Sequence, residues 1–180
     1  MSGDRQVVSN AGPLMALAKL NLLHLLKDLY GRVRIPSAVY DEIVTVGLQR
    51  GYQDARTLYI FLNQVGWKPE QVAPAAISAR LSEAAIDHGE REALALAITL
   101  DHVLLLMDEM AGRALARREG IAVRGTLGVL NEAYQRRLIR EDQLRLYFAE
   151  IARRQDIWIR SDVVERLLRE ILGDANRDPG

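Results

Sequence analysis

The run Val103-Leu104-Leu105-Leu106-Met107 is apolar throughout and ends abruptly at Asp108-Glu109. Consecutive apolar residues without alternation fit a strand covered on both faces, the habit of parallel strands flanked by helices. Met110-Ala111-Gly112-Arg113 then opens a helical pattern. The acid therefore falls at the C-terminal tip of a strand, the edge where open α/β sheets place their chemistry.

The rest of the chain alternates in the same way. Strands are expected at 6–9, 33–35, 103–107 and 121–123, with an edge strand at 67–72 weakened by Pro69 and Pro74. Helices are expected after Pro13, over 22–29 with Asn21 as N-cap, after Pro36, around 55–62, and over 77–86 and 90–100. Further helices follow at 110–119, with Gly120 closing the turn, and over 127–136, 141–153 and 162–172. Residues 47–66, punctuated by three glycines, read as a variable insertion. Strands alternating with helices predict an α/β fold, a parallel sheet covered on both faces. One domain over 1–172 is expected, with loose ends at 1–4 and 173–180.

Composition narrows the chemistry. The chain has no Cys, which excludes disulfides, thiolate metal sites and Cys nucleophiles. Acidic and basic residues balance at 24 each, so no global field recruits nucleic acid. The basic residues are 21 Arg against 3 Lys, a choice that suits bidentate phosphate contacts. No apolar run nears the roughly 18 residues of a membrane span, and no signal-peptide pattern opens the chain. A cytoplasmic protein with no membrane partner is the expectation.

Four polar positions stand at comparable places. Asn10 ends the first strand, Glu42 lies on the helix after the second, Glu90 opens a buried helix, and Asp108 ends the strongest strand. Carboxylates gathered at one sheet edge repel one another unless protons or a cation neutralise them. Hard divalent cations take such oxygen ligands, and the chemistry to expect is metal-assisted phosphodiester hydrolysis. Taken singly, each acid also suits a helix cap or dipole partner. Other signals fail. Gly120-x-x-x-x-Gly125-Thr126 lacks the lysine of a phosphate loop. His24, His88 and His102 form no zinc motif, and no Gly-x-Ser-x-Gly elbow occurs.

Five pieces in order carry a resemblance: Val7-Val8-Ser9-Asn10-x-x-Pro13-Leu14; Ile35-Pro36-x-x-Val39-x-x-Glu42; Asp87-x-Gly89-Glu90-x-Glu92-Ala93; Leu105-Leu106-Met107-Asp108-x-x-x-Gly112-Arg113; and Gly125-Thr126-Leu127-Gly128-Val129-Leu130. Over roughly residues 6–172 the chain resembles the PIN-domain nucleases, in a prokaryotic PIN-like subfamily related to the VapC-type toxins. The resemblance implies a three-layer α/β/α sandwich with a short parallel central sheet. It also implies an endoribonuclease that cleaves single-stranded RNA with Mg²⁺ or Mn²⁺. By position Glu42, Glu90 and Asp108 match the family's second, third and fourth acidic ligands and are the catalytic candidates. Asn10 stands where active members carry the first Asp, and completes the candidate metal-ligand set as a neutral oxygen. Ser9, Glu109 and Glu92 are the neighbours that could compensate. Thr126 and Arg113 are candidate RNA or phosphate contacts. The implied partners are single-stranded RNA, an antitoxin protein if the chain is the toxin of a toxin–antitoxin pair, and a second copy in a homodimer. The alternative is a weakened PIN scaffold that binds RNA or a protein without cutting.

Overall fold

The computed structural model describes residues 5–173. The ends expected to be loose, 1–4 and those beyond Gly173, lie outside them. The elements run β1 (Gln6–Ser9), α1 (Ala11–Lys19), α2 (His24–Tyr30), β2 (Ile35–Pro36), α3 (Ser37–Tyr40), a π-turn (Asp41–Val46) and α4 (Gly47–Gln49). Next come α5 (Gln53–Val65), β3 (Pro69–Glu70), a 3₁₀ turn (Pro74–Ala76), α6 (Ala79–Glu83), α7 (His88–Ile98) and β4 (Val103–Leu106). The described residues end with α8 (Met110–Arg118), β5 (Ala122–Arg124), α9 (Thr126–Gln135), α10 (Glu141–Arg153) and α11 (Ser161–Leu172).

The strands are parallel throughout. β1, β4 and β5 form one sheet with β4 in the middle, and β2 pairs with β3. A bridge between Val8 and Arg34 joins the two: Ser9 N–H donates to Arg34 O at 3.0 Å, and Arg34 N–H donates to Val7 O at 2.8 Å. The spatial order is thus β3-β2-β1-β4-β5, and the direction of winding reverses between β1 and β4. Such a reversal opens a crevice at the carboxyl ends of the two strands, because the helices leaving them pass to opposite faces. Ser9 pairs with Leu106, so the two strands end level.

Burial follows from this topology. Val7, Val8 and Ser9 on β1, and Leu104, Leu105 and Leu106 on β4, are successive residues at 2% exposure or less. Both faces of these strands are covered, as the unbroken apolar run predicts. The helix expected over 90–100 is α7, and Ala93 to Ala97 pack in the core beside Val8, Leu105 and Met107. The parallel α/β architecture expected from the alternation is the one found.

Several local expectations are corrected. Asn21 does not cap α2; it takes a left-handed conformation (φ 57°), and the helix starts at His24. The segment read as an insertion contributes to the core: α5 buries Ala55, Leu58 and Leu62, and α4 lies close to it where Gly47 meets Ala55. The helix expected over 77–86 shrinks to α6, since the 3₁₀ turn before it uses Pro74 to Ala76 and Ser78 caps only a short helix. The edge strand contracts to β3 because Pro69 offers no N–H, while Trp67 turns inward against Phe61.

The chain divides after Thr126 into two compact units. The first carries the sheet and every strand tip. The second is helical, with α10 and α11 packed together and Leu144, Phe148, Ile151 and Val164 buried. Among the described residues no helix is long and apolar enough to cross a membrane.

Candidate functional site

Asp108 stands two residues beyond the end of β4. Met107 N–H still donates to Arg124 O at 2.9 Å, so the strand is held to its last residue before the acid leaves it. The Asp108 carboxylate turns to the junction between β5 and α9. Thr126 N–H donates to its Oδ1 at 2.7 Å, and Thr126 Oγ1 donates to its Oδ2 at 2.6 Å. Gly125 makes room for this, since a Cβ there would stand 2.6 Å from Asp108 Oδ1. Burial pushes the Asp108 carboxyl above its ordinary value, and Glu109 adds to the rise, while the Thr126 hydrogen bonds and Arg113 oppose it. Thr126, fully buried, thus has its hydroxyl proton on a carboxylate. Arg113 is half-buried, with Nη1 donating to Met107 O at 2.9 Å. Burial lowers its pKa, and Arg117 lowers it further against the pull of Asp108.

Asn10 follows β1 across the crevice. Its N–H donates to Leu106 O at 2.9 Å, which ties it to β4. Its side-chain Nδ2 donates to Glu109 Oε2 at 3.1 Å. Its Oδ1 is buried and has no hydrogen-bond partner. Next to it, Ser9 Oγ donates to the Asn10 carbonyl at 2.9 Å, which gives that hydroxyl a backbone role. Gly12, in the first turn of α1, leaves space filled by Glu109 Oε1 and Asp108 Oδ2, 3.1 and 3.2 Å from where a Cβ would stand.

Glu90 opens α7 in a capping box. Asp87 Oδ1 accepts from Glu90 N–H at 2.7 Å, and Glu90 Oε2 accepts from Asp87 N–H at 2.8 Å. At 5% exposure Glu90 is buried, and burial raises its pKa. The Asp87 N–H bond opposes that rise, while the charges of Asp87, Glu109 and Glu42 add to it. Glu42 sits on the π-turn rather than a regular helix, a widening often found at functional positions. Its Oε2 fills the space left by Gly89, 3.1 Å from a Cβ position there. Desolvation, then Asp87 and Glu109, raise its pKa. Glu92 is spent elsewhere: its Oε2 accepts from Ala38 N–H at 2.9 Å and so caps α3.

Among the described residues, no three acidic or imidazole side chains stand together in a group that could hold a metal ion. The donor set nevertheless fits a hard divalent cation. It consists wholly of oxygens, its carboxylates are held up in pKa first by burial and then by neighbouring acids, Glu109 in each case, and it includes a buried amide acceptor with no partner. Glu42, Glu90, Asp108 and the Asn10 Oδ1 are the residues that could hold it.

Glu109 is the residue that sequence reasoning underweighted. Its charge acts on Glu42, Glu90 and Asp108 alike. The Asp108-Glu109 doublet was the available signal. Asp87 was the other, since Asp-x-x-Glu ahead of an apolar run is a capping-box pattern.

A family model described as DUF3368, a PIN domain, matches residues 6–172. No curated protein matches the sequence at a significant level.

Proposed function

The chain belongs to the DUF3368 family of PIN domains, a nuclease-type fold, and on that premise we propose that it is a metal-dependent endoribonuclease hydrolysing phosphodiester bonds in single-stranded RNA. The observation that carries the reading is the buried, partnerless Asn10 Oδ1 at the topological switch point between β1 and β4, with Asp108 beyond the tip of β4 and the raised pKa values of Glu42, Glu90 and Asp108 in support. Glu42, Glu90 and Asp108 would hold Mg²⁺ or Mn²⁺, with Asn10 as a neutral ligand. A cation bound there would lower the pKa of a water and offset charge on the scissile phosphate.

The chain's own groups do the positioning. Thr126 fixes both oxygens of Asp108. The capping box fixes Glu90 Oε2 on the backbone and leaves Oε1 free of that bond. Arg113 brings a cationic group beside Asp108, suited to an RNA phosphate. Restraint by an antitoxin protein, as in a toxin pair, is part of the same reading.

The test is cleavage of single-stranded RNA by the purified chain with Mn²⁺. Loss of cleavage in EDTA and in Asp108→Ala supports the reading, and cleavage unchanged in either sinks it. The second reading, a scaffold that binds RNA without cutting, is favoured by one observation, the uncharged Asn10 in the first ligand position. Mn²⁺-dependent cleavage abolished by Glu90→Gln would exclude that one.

A further inference from the structure

Asn10 occupies the N-cap position of α1, where an asparagine side chain ordinarily accepts a hydrogen bond from its own helix. Here it makes no capping bond. Its Nδ2 reaches Glu109 Oε2 at 3.1 Å instead. The amide oxygen Oδ1, on the same carbon as Nδ2, takes no part in that bond. That oxygen is buried without a partner, in a residue only 1% exposed. An acceptor in that position calls for a donor or a cation, and no further carboxylate can satisfy it. The other Glu109 oxygen, Oε1, lies with Asp108 Oδ2 in the space over Gly12. One end of Glu109 is therefore held by Asn10 while the other meets the best-fixed acid of the site.

We infer that Glu109 is the site's displaced carboxylate ligand. Asn10 aims it through the amide nitrogen and lends its own amide oxygen as a neutral ligand. Together the pair gives a divalent cation the one negative charge that an acid at position 10 would give alone. The inference rests on the metal-dependent reading above. An aspartate at position 10 would bring a second carboxylate against Glu109 where an amide now stands, and the two would repel. Asparagine at 10 and glutamate at 109 are thus a matched pair, and their charges should be exchangeable.

The experiment titrates Mn²⁺ into the purified chain without RNA, and reads the free-ion signal by electron paramagnetic resonance. Glu109→Gln is isosteric at an exposed position and should weaken Mn²⁺ binding by about tenfold or more. Asn10→Asp/Glu109→Gln, which moves the charge to the other partner, should recover most of that loss. Glu92→Gln, at the cap of α3, should bind as the native chain does. If Glu109→Gln binds like the native chain while Glu90→Gln does not, the Glu109 assignment is overturned and the nuclease reading stands. If the exchanged pair binds no better than Glu109→Gln, the matched-charge argument fails. A native chain that binds no Mn²⁺ overturns both readings together.

Discussion

Asp108 receives two hydrogen bonds from a single residue, one from the Thr126 backbone and one from its hydroxyl. Only the second depends on the side chain. Thr126→Val keeps the shape and the N–H but removes that donor. A hydrogen bond to a charged group is worth about 1.5–3 kcal/mol, so cleavage should fall about 10- to 100-fold. The same loss removes an influence that holds the Asp108 pKa down. The acid limb of the pH–rate profile should therefore move to higher pH, while Thr126→Ser stays near native on both counts. An unshifted profile with unchanged kcat would make Thr126 a wall rather than a positioning group. At this scale the sequence shows which residues matter more readily than what they touch. Asp108 and Glu90 stand out by position, one ending an apolar run and one opening another. The bond from Asn10 to Glu109 was hidden, because it depends on β1 and β4 ending in register, and strand register is a tertiary outcome.

Two short elements set the acids in place, and each separates stability from function. The first is the capping box of α7, where Asp87 and Glu90 each accept a bond from the other's backbone N–H. Asp87→Ala removes the side chain that accepts from Glu90 N–H and should cost about 1 kcal/mol of stability, read by urea unfolding. Glu90→Gln can still accept from Asp87 N–H, and it removes a charge held at unfavourable cost. It should leave the metal-free chain as stable as native or more so, while abolishing cleavage. A Glu90→Gln chain that unfolds as early as Asp87→Ala would make the glutamate a cap alone. The second element is the β5–α9 junction. A methyl at Gly125 would press on Asp108 Oδ1, with Arg113 Nη1 3.0 Å from the same point. Gly125→Ala should thus disrupt the Asp108–Thr126 contact and lower cleavage about tenfold or more. Elements with a strong apolar period were legible: the strand over 6–9 and the helix over 141–153 fall where the pattern puts them, and the buried α7 lies two residues earlier than expected. The π-turn was not, because its extra residue per turn leaves no mark in a stretch as short as Asp41–Val46. The helix of α5 was legible, but its part in the core was not, because the glycines around it suggested an insertion, whereas Gly47 serves close packing against Ala55.

At the scale of the whole molecule the formal charges cancel, so no large net charge obscures a local electrostatic penalty near neutral pH. Such a penalty is concentrated at the strand tips. Glu42, Glu90 and Asp108 all have pKa values raised in the fold, first by desolvation and then by neighbouring acids. A raised carboxyl favours the folded state while protonated. Its contribution is fully present below the unfolded values of 4.5 for glutamate and 3.8 for aspartate. It is lost as pH rises through the folded values above them. In a chelator, the melting temperature should therefore fall as pH is raised from the ordinary carboxylate range toward 8. A cation that binds only the folded site opposes this, contributing about 2.7 kcal/mol at a hundredfold excess over its Kd. For a chain of this size that is a rise of roughly 5–10 °C, greatest at the alkaline end, where all three acids are charged. Circular-dichroism melts across pH 5–8, with EDTA and with Mn²⁺, measure both curves. Curves that coincide at pH 8 would mean that no cation is held by the folded chain. A chelated chain whose melting point does not change with pH would mean that the three acids are not under strain. Converging curves at low pH and diverging curves at high pH are what a fold strained by the acids of its candidate site should give.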